Sequence, residues 1–437
     1  MESEVTEGAV QRGMTTTKSE EQTPLMKGAK KSGLATVDFK NLKGNRRDVH
    51  LIALLTLITL GDAVEIYLPG VITQAASTEL KVSKTQEGLL GIILYLCLAL
   101  SYFVLPAIKD KLGRKVTLLA SLYISIVATV ICSLVPNFWT LLTSRALLGL
   151  CIGLNMAMVG VYFVENISTD DMYNAGKLSG MFGFTLGGGW VAILGYLLLG
   201  RIGWRYFIVC TSVPIFLVPI FILHFVLTDT PGSEGRVGLQ SALEQEVIKV
   251  KGFWGRLIKG SVANFINTLQ GWGSILLIPA LLNVFENKES KLTMDQELLI
   301  LALLYGVAKL IGRILGIFLL KYVSFRILQP LLSVIIASCY LTLIFLDHSL
   351  IVTVVAMGIC NMCFCITRCE LTLMEFDKHY FGTERIILGA GVMSGCAMMG
   401  AAVGAIVASF LSSHQAVMVT FVLSCIQVVT FCFITER

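Results

Sequence analysis

Five charged side chains interrupt stretches that are otherwise apolar: Asp62, Glu65, Arg145, Lys309 and Arg313. A charge at the centre of a membrane-spanning helix costs about 2.5–3.5 kcal/mol on insertion scales, so such a group either pairs or faces a water-filled path. Asp62 and Glu65 fall in the first apolar run and Arg145 in the fourth, so two acids and one base can form a buried pair that at the least positions two helices. Lys309 is about eleven residues from either end of its run, about 16 Å at 1.5 Å per residue, which is too deep to snorkel easily. Arg313, one turn on, shares its face. Asn264, Asn267 and Gln270 recur at intervals of three ahead of Trp272. An amide stripe of this kind binds a polar solute or ties helices together, and the pattern serves both equally.

The chemistry that is missing narrows the function. No HExxH, phosphate loop or Ser/His/Asp set occurs, and the histidines lie near the ends of apolar runs, which argues against an enzyme and implies no cofactor. Cys360, Cys363, Cys365 and Cys369 share one run, but their spacing matches no tetrahedral zinc pattern; they are expected to pack as small buried residues, with no metal.

The elements that hold these residues follow from composition. The chain of 437 residues is 55% apolar and 14% charged, against roughly 25% charged in soluble proteins, and its mean hydropathy is +0.78. A bilayer-spanning helix needs about 20 mainly apolar residues, and the hydropathy falls into twelve such runs. An all-α membrane protein with twelve transmembrane helices in two six-helix bundles is therefore expected. Residues 1–50 hold 16 of the charges and no apolar periodicity, so they form a disordered tail without a signal peptide. Residues 51–227 form the first bundle, 228–261 a basic linker and 262–434 the second bundle.

Lys and Arg set the orientation. They crowd the tail, the turn with Lys109, Lys111, Arg114 and Lys115, and the linker, and they are sparser on the other side. Both termini are then cytosolic, and so is the sequon at Asn166, which excludes an N-glycan. The basic residues form no continuous stripe, so nucleic acid is not a partner; the lipid bilayer is.

The turn Asp110-Lys111-Leu112-Gly113-Arg114-Lys115 resembles the loop signature of the major facilitator superfamily, with Pro106 where the signature has glycine. The chain is most similar to its synaptic-vesicle-glycoprotein, SVOP-type and organic-ion transporter branch. The residues that carry this are Gly61-Asp62-Ala63-Val64-Glu65, Glu87-Gly88-Leu89-Leu90-Gly91, Arg145-Ala146-Leu147-Leu148-Gly149 with Gly153, Tyr162 and Glu165, Gly203-Trp204-Arg205, and Gly382-Thr383-Glu384-Arg385.

The resemblance implies the major facilitator fold and secondary active transport of a small organic ion by alternating access. In proton-coupled relatives a first-helix acid and the fourth-helix arginine form a switchable pair. Asp62 is the acid by resemblance, and depth counting brings Glu65 closer to Arg145, so Asp62, Glu65 and Arg145 are the proton-coupling candidates. Lys309 with Arg313 resembles the lysine-bearing eighth helix of organic anion transporters, where the lysine attracts the substrate's negative group. The charge-free eleventh helix makes the preference for an anion weak. Asn264, Asn267, Gln270 and Trp272 would shape the pocket.

Asp110, Arg114, Glu165, Glu370, Glu375 and Arg385 match a gating network at the cytosolic ends, reduced here because Met172 replaces an arginine. The stretch from Glu21 to Met26 looks like an acidic dileucine-type signal for a sorting adaptor. It directs the expectation to endosomal, lysosomal or vesicle membranes, with the plasma membrane as the alternative. The rival reading is a vesicle-membrane binding or trafficking protein that keeps the fold without transporting.

Overall fold

The computed structural model describes residues 46–167, 170–226, 252–286, 294–345, 350–375, 378–381 and 385–434. Most of the expected tail, including Glu21 to Met26, and residues 228–251 of the expected linker lie outside the described residues. Six long helices come first: α1 (Arg46–Leu80), α2 (Lys84–Leu112), α3 (Arg114–Ser133), α4 (Phe138–Asn166), α5 (Asp170–Leu194) and α6 (Gly200–Phe221). Six more follow. They are α7 (Phe253–Glu286), α8 (Met294–Ala302 and Lys309–Tyr322, joined by the π-helical turns Leu303–Ala308), α9 (Phe325–Phe345), α10 (Leu350–Glu375), α11 (Ile386–Phe410) and α12 (Ser413–Ile434).

Ten stretches of the described residues are long and apolar enough to cross a membrane, and one of them, Met172–Val226, holds both α5 and α6. The remaining long helix is α7. Two helices start earlier than hydropathy suggests, α1 at Arg46 and α7 at Phe253 rather than Leu51 and Val262. Hydropathy reads the apolar core of a helix and is blind to polar turns that continue it into water.

Local chemistry sets the ends. Ser83 and Gln86 form a reciprocal cap before α2: the Gln86 backbone N–H donates to Ser83 Oγ at 3.3 Å and the Ser83 N–H to Gln86 Oε1 at 2.9 Å. Between α2 and α3 the chain turns at Gly113 with φ 80°, a conformation that disfavours any side chain. Asn137 caps α4 by accepting from the Thr140 N–H at 3.0 Å.

The first bundle is closed by small residues. Gly183 and Gly187 of α5 lie one turn apart against the backbone of α1, in the spacing that lets helices approach closely in lipid. A Cβ at position 187 would stand 2.6 Å from the Leu60 carbonyl oxygen and 2.7 Å from the Ala63 Cβ. Gly187→Val is therefore expected to destabilise the bundle by about 1–3 kcal/mol, the usual cost of overpacking, read as a lower unfolding midpoint in detergent. A midpoint unchanged from wild type would show that the two helices can part without loss.

At the end remote from Arg46, one carboxylate ties three helices. Glu79 accepts from Trp204 Nε1 at 2.5 Å and from Arg205 Nε at 3.0 Å, while Arg205 Nη1 also donates to the Ser133 and Val135 carbonyls. This gives Gly203-Trp204-Arg205 a structural role: Gly203, with φ 74°, breaks the helix so that the next two side chains reach α1 and α3. The Trp204 and Arg205 hydrogen bonds hold the Glu79 carboxyl below its usual range. Because its folded pKa is depressed, the clasp contributes fully above the ordinary glutamate pKa of about 4.3 and fades as pH falls through the lower folded value. Acidifying from pH 7 to 5 should leave it closed. Glu79→Gln should remove the loss of stability below that range, as checked by unfolding midpoints from pH 3 to 7.

The two bundles meet along two seams, α2 against α11 and α5 against α8. Side chains such as Trp139, Tyr206 and Phe345 point outward and exposed, as a lipid-facing surface requires.

Candidate functional site

The acids of α1 sit inside the first bundle, walled by α3 and α4. Glu65 is fully buried and pairs with Arg145, whose Nη1 lies 3.2 Å from Glu65 Oε2. Thr129 donates to the other oxygen at 2.7 Å. Arg145 thus takes Glu65, as depth counting suggests, rather than Asp62. Asp62, one helical turn nearer Arg46, is also fully buried and accepts from Asn155 Nδ2 at 3.1 Å, while its Oδ2 and Arg145 Nη2 have no hydrogen-bond partner among the described residues. Asn155 in turn accepts from Ser121 at 2.5 Å and reaches Ser125 at 3.4 Å. Asn155, Ser121, Ser125 and Thr129 were not singled out by the sequence reading. Their signal was legible, because three hydroxyls spaced by four make one polar stripe down an apolar α3.

A separate cavity of about 150 Å³ lies between the bundles. Its lining includes Lys309, Arg313 and Trp272, together with Tyr67, Phe184, Lys177 and Arg368. Lys309 does not snorkel: it is 1% exposed, donates to Tyr67 Oη at 2.8 Å, and stands 4.8 Å from the Tyr67 ring and 5.5 Å from the Tyr305 ring. Arg313 donates through Nε to Thr185 Oγ1 at 3.2 Å and through Nη1 to the Cys365 carbonyl and Cys369 sulfur at 3.3 and 3.6 Å. Two of the clustered cysteines therefore help hold the arginine. Trp272 stacks on Phe184 with centroids 5.3 Å apart, joining the bundles across the cavity wall.

The amide stripe of α7 divides. Asn264 accepts from Arg368 Nη1 at 2.5 Å and so touches the cavity through that arginine. Gln270 donates to Ser424 of α12 at 2.8 Å, and Asn267 is buried with neither amide atom hydrogen-bonded among the described residues. Neither Asn267 nor Gln270 lines the cavity. Lys177 and Arg368, which do, were missed because both lie near helix ends, where a basic residue looks like an anchor. Lys177 Nζ stands 4.2 Å over the Tyr173 ring.

Beyond the cavity the bundles close on each other at the end remote from Arg46. A Cβ on Gly189 of α5 or Gly306 of α8 would stand 3.1 Å from the other's Cα, and Tyr305 Oη donates to the Ile275 carbonyl at 2.6 Å beside Gly70 of α1. From there the lining runs through Thr59, Gly160 and Tyr173 toward the end that carries Arg46. Of the gating candidates, Arg114 is half-buried and Arg385 is exposed, with its guanidinium 5.2 Å over Phe253. The side chains of Asp110, Glu165, Glu370 and Glu375 lie outside the described residues. Among the described residues no group of three His, Cys, Asp or Glu side chains is placed to hold a metal.

The family model described as Major Facilitator Superfamily matches residues 53–376. Synaptic vesicle glycoprotein 2A of Rattus norvegicus is 29% identical over 156 residues, which is 36% of this chain and 21% of the relative. Synaptic vesicle glycoprotein 2B of Mus musculus is 30% identical over 156 residues, 36% of this chain and 23% of the relative. The alignment thus spans less than a quarter of these relatives. A bacterial homolog of the human lysosomal transporter Spinster, inward-facing and occupied, superimposes with TM-score 0.67 at 16% identity, covering 90% of this chain and 98% of that one. The human organic anion transporter MFSD10 (TETRAN) gives TM-score 0.64 at 14% identity, covering 89% and 100%. At such identities the structures show a shared fold.

Proposed function

Since this chain belongs to the major facilitator superfamily, we propose that it is a secondary active transporter of small organic anions, working by alternating access. One observation carries the choice of anion: among the described residues the central cavity is lined by Lys177, Lys309, Arg313 and Arg368 and by no acidic side chain. In a low-dielectric pocket such a set attracts negative charge and repels cations.

Positive charge at the α2–α3 turn supports a cytosolic Arg46 end, and the cavity then faces inward. Glu65 and Arg145 with the adjacent Asp62 form the coupling element. Asp62, with one oxygen free of hydrogen bonds among the described residues, takes up and releases the proton, and the change in its charge acts on the Glu65–Arg145 pair one turn away. The likeness to synaptic vesicle glycoproteins and to a lysosomal transporter's homolog supports an acidifying vesicle or endolysosomal membrane, to which an adaptor reading Glu21 to Met26 would sort it.

The test is uptake of labelled organic anions into proteoliposomes with an imposed pH gradient. Accumulation above equilibrium in wild type is expected. Asp62→Asn, which keeps an acceptor for Asn155, should abolish gradient-driven accumulation while leaving exchange of anion for anion. Uptake of nothing from a broad panel by well-folded protein would favour the trafficking role instead.

A further inference from the structure

Lys309 and Arg313 are 1% and 5% exposed, and among the described residues neither is paired with a carboxylate. Their hydrogen-bond partners are neutral: the Tyr67 hydroxyl for Lys309, and the Thr185 hydroxyl, the Cys365 carbonyl and the Cys369 sulfur for Arg313. Two buried cations one turn apart on α8 therefore carry charge that the surrounding protein solvates without neutralising. A single negative charge between them would leave one cation uncompensated, whereas two negative charges held between the two side chains satisfy both.

The partners also matter for where they come from. Tyr67 lies on α1 and Thr185 on α5, so both cations of the second bundle are held by hydroxyls of the first. An anion with several acceptor oxygens adds a charge–charge attraction that the neutral hydroxyls cannot supply, and so displaces them.

We propose that the substrate carries two negative charges in one compact head, as in a phosphate monoester or a vicinal dicarboxylate, and that Lys309 and Arg313 bind them together. This rests on the reading of the cavity as an anion site and narrows it. The aromatic wall of Phe184, Trp272 and Tyr67 accommodates the apolar body that such a head would carry.

The experiment is a binding comparison on the purified full chain in detergent, using phenyl phosphate, phthalate, benzoate and phenyltrimethylammonium as probes. At least one of the two dianions should bind about tenfold or more tightly than benzoate, and the tighter one identifies the head group. Lys309→Met and Arg313→Gln should each bring that ratio close to unity, while Lys309→Arg, a control for folding, should keep it. Equal binding of benzoate and both dianions would overturn the proposal while leaving the anion reading intact, and so would a dianion preference that survives both neutral substitutions. Preference for phenyltrimethylammonium would overturn both. Failure of both dianions to bind at millimolar concentration also contradicts the proposal.

Discussion

Arg145→Gln is expected to destabilise the first bundle by about 3–5 kcal/mol, the cost of leaving one member of a buried ion pair without its partner. The geometry explains the size. Glu65 is fully buried, its two oxygens are taken by Arg145 and Thr129, and no other basic side chain pairs with it among the described residues. Removing the arginine strands a carboxylate in an apolar interior, with one hydroxyl as its remaining donor. The double variant Glu65→Gln with Arg145→Gln should recover most of the lost stability, because no charge then remains to be solvated. Unfolding midpoints of the two single variants and the double variant in detergent complete the cycle. If Arg145→Gln unfolds with wild-type stability, the pair is not the element that joins α1 to α4.

Lys309→Met should have the opposite signature, with function and stability moving in different directions. The substitution roughly preserves volume and removes a buried cation that no carboxylate neutralises among the described residues, so stability should hold or rise. Anion uptake should fall by about thirtyfold or more, since truncating a buried charge that meets a charged ligand costs at least about 2 kcal/mol. A residue retained for packing shows no such opposition, because its loss would lower both. Parallel uptake and thermal-unfolding measurements decide. Equal uptake by Lys309→Met and wild type would remove Lys309 from the site.

Much of this was legible in the sequence, and the particular residues show why the rest was not. Charge is so rare in the spanning helices that Asp62, Glu65, Arg145, Lys309 and Arg313 stood out, and all five prove to be buried. Helical depth favoured Glu65 over Asp62 as the neighbour of Arg145, and the structure forms that pair. The partner of Asp62 was harder, because an asparagine in an apolar helix resembles any other packing amide until the α3 hydroxyls beside it are seen.

The α7 stripe divides for a geometric reason. Steps of three residues turn about 300°, so the stripe drifts roughly 60° per step and about 120° from Asn264 to Gln270. That drift leaves Asn264 bonded to a cavity arginine and turns Gln270 against α12. The contacts of Lys309 with Tyr67 and of Arg313 with Thr185 join different bundles. No spacing along the chain encodes them, since they arise only when the two halves close.

The central claim is that the cavity between the bundles moves organic anions across a membrane. Uptake of radiolabelled phenyl phosphate and phthalate into proteoliposomes preloaded with the same unlabelled anion tests it most directly. The account predicts saturable uptake of at least one of them, lost in Lys309→Met and spared by phenyltrimethylammonium as a competitor. Transport that is absent for both anions, or that organic cations inhibit more strongly than anions do, would contradict it.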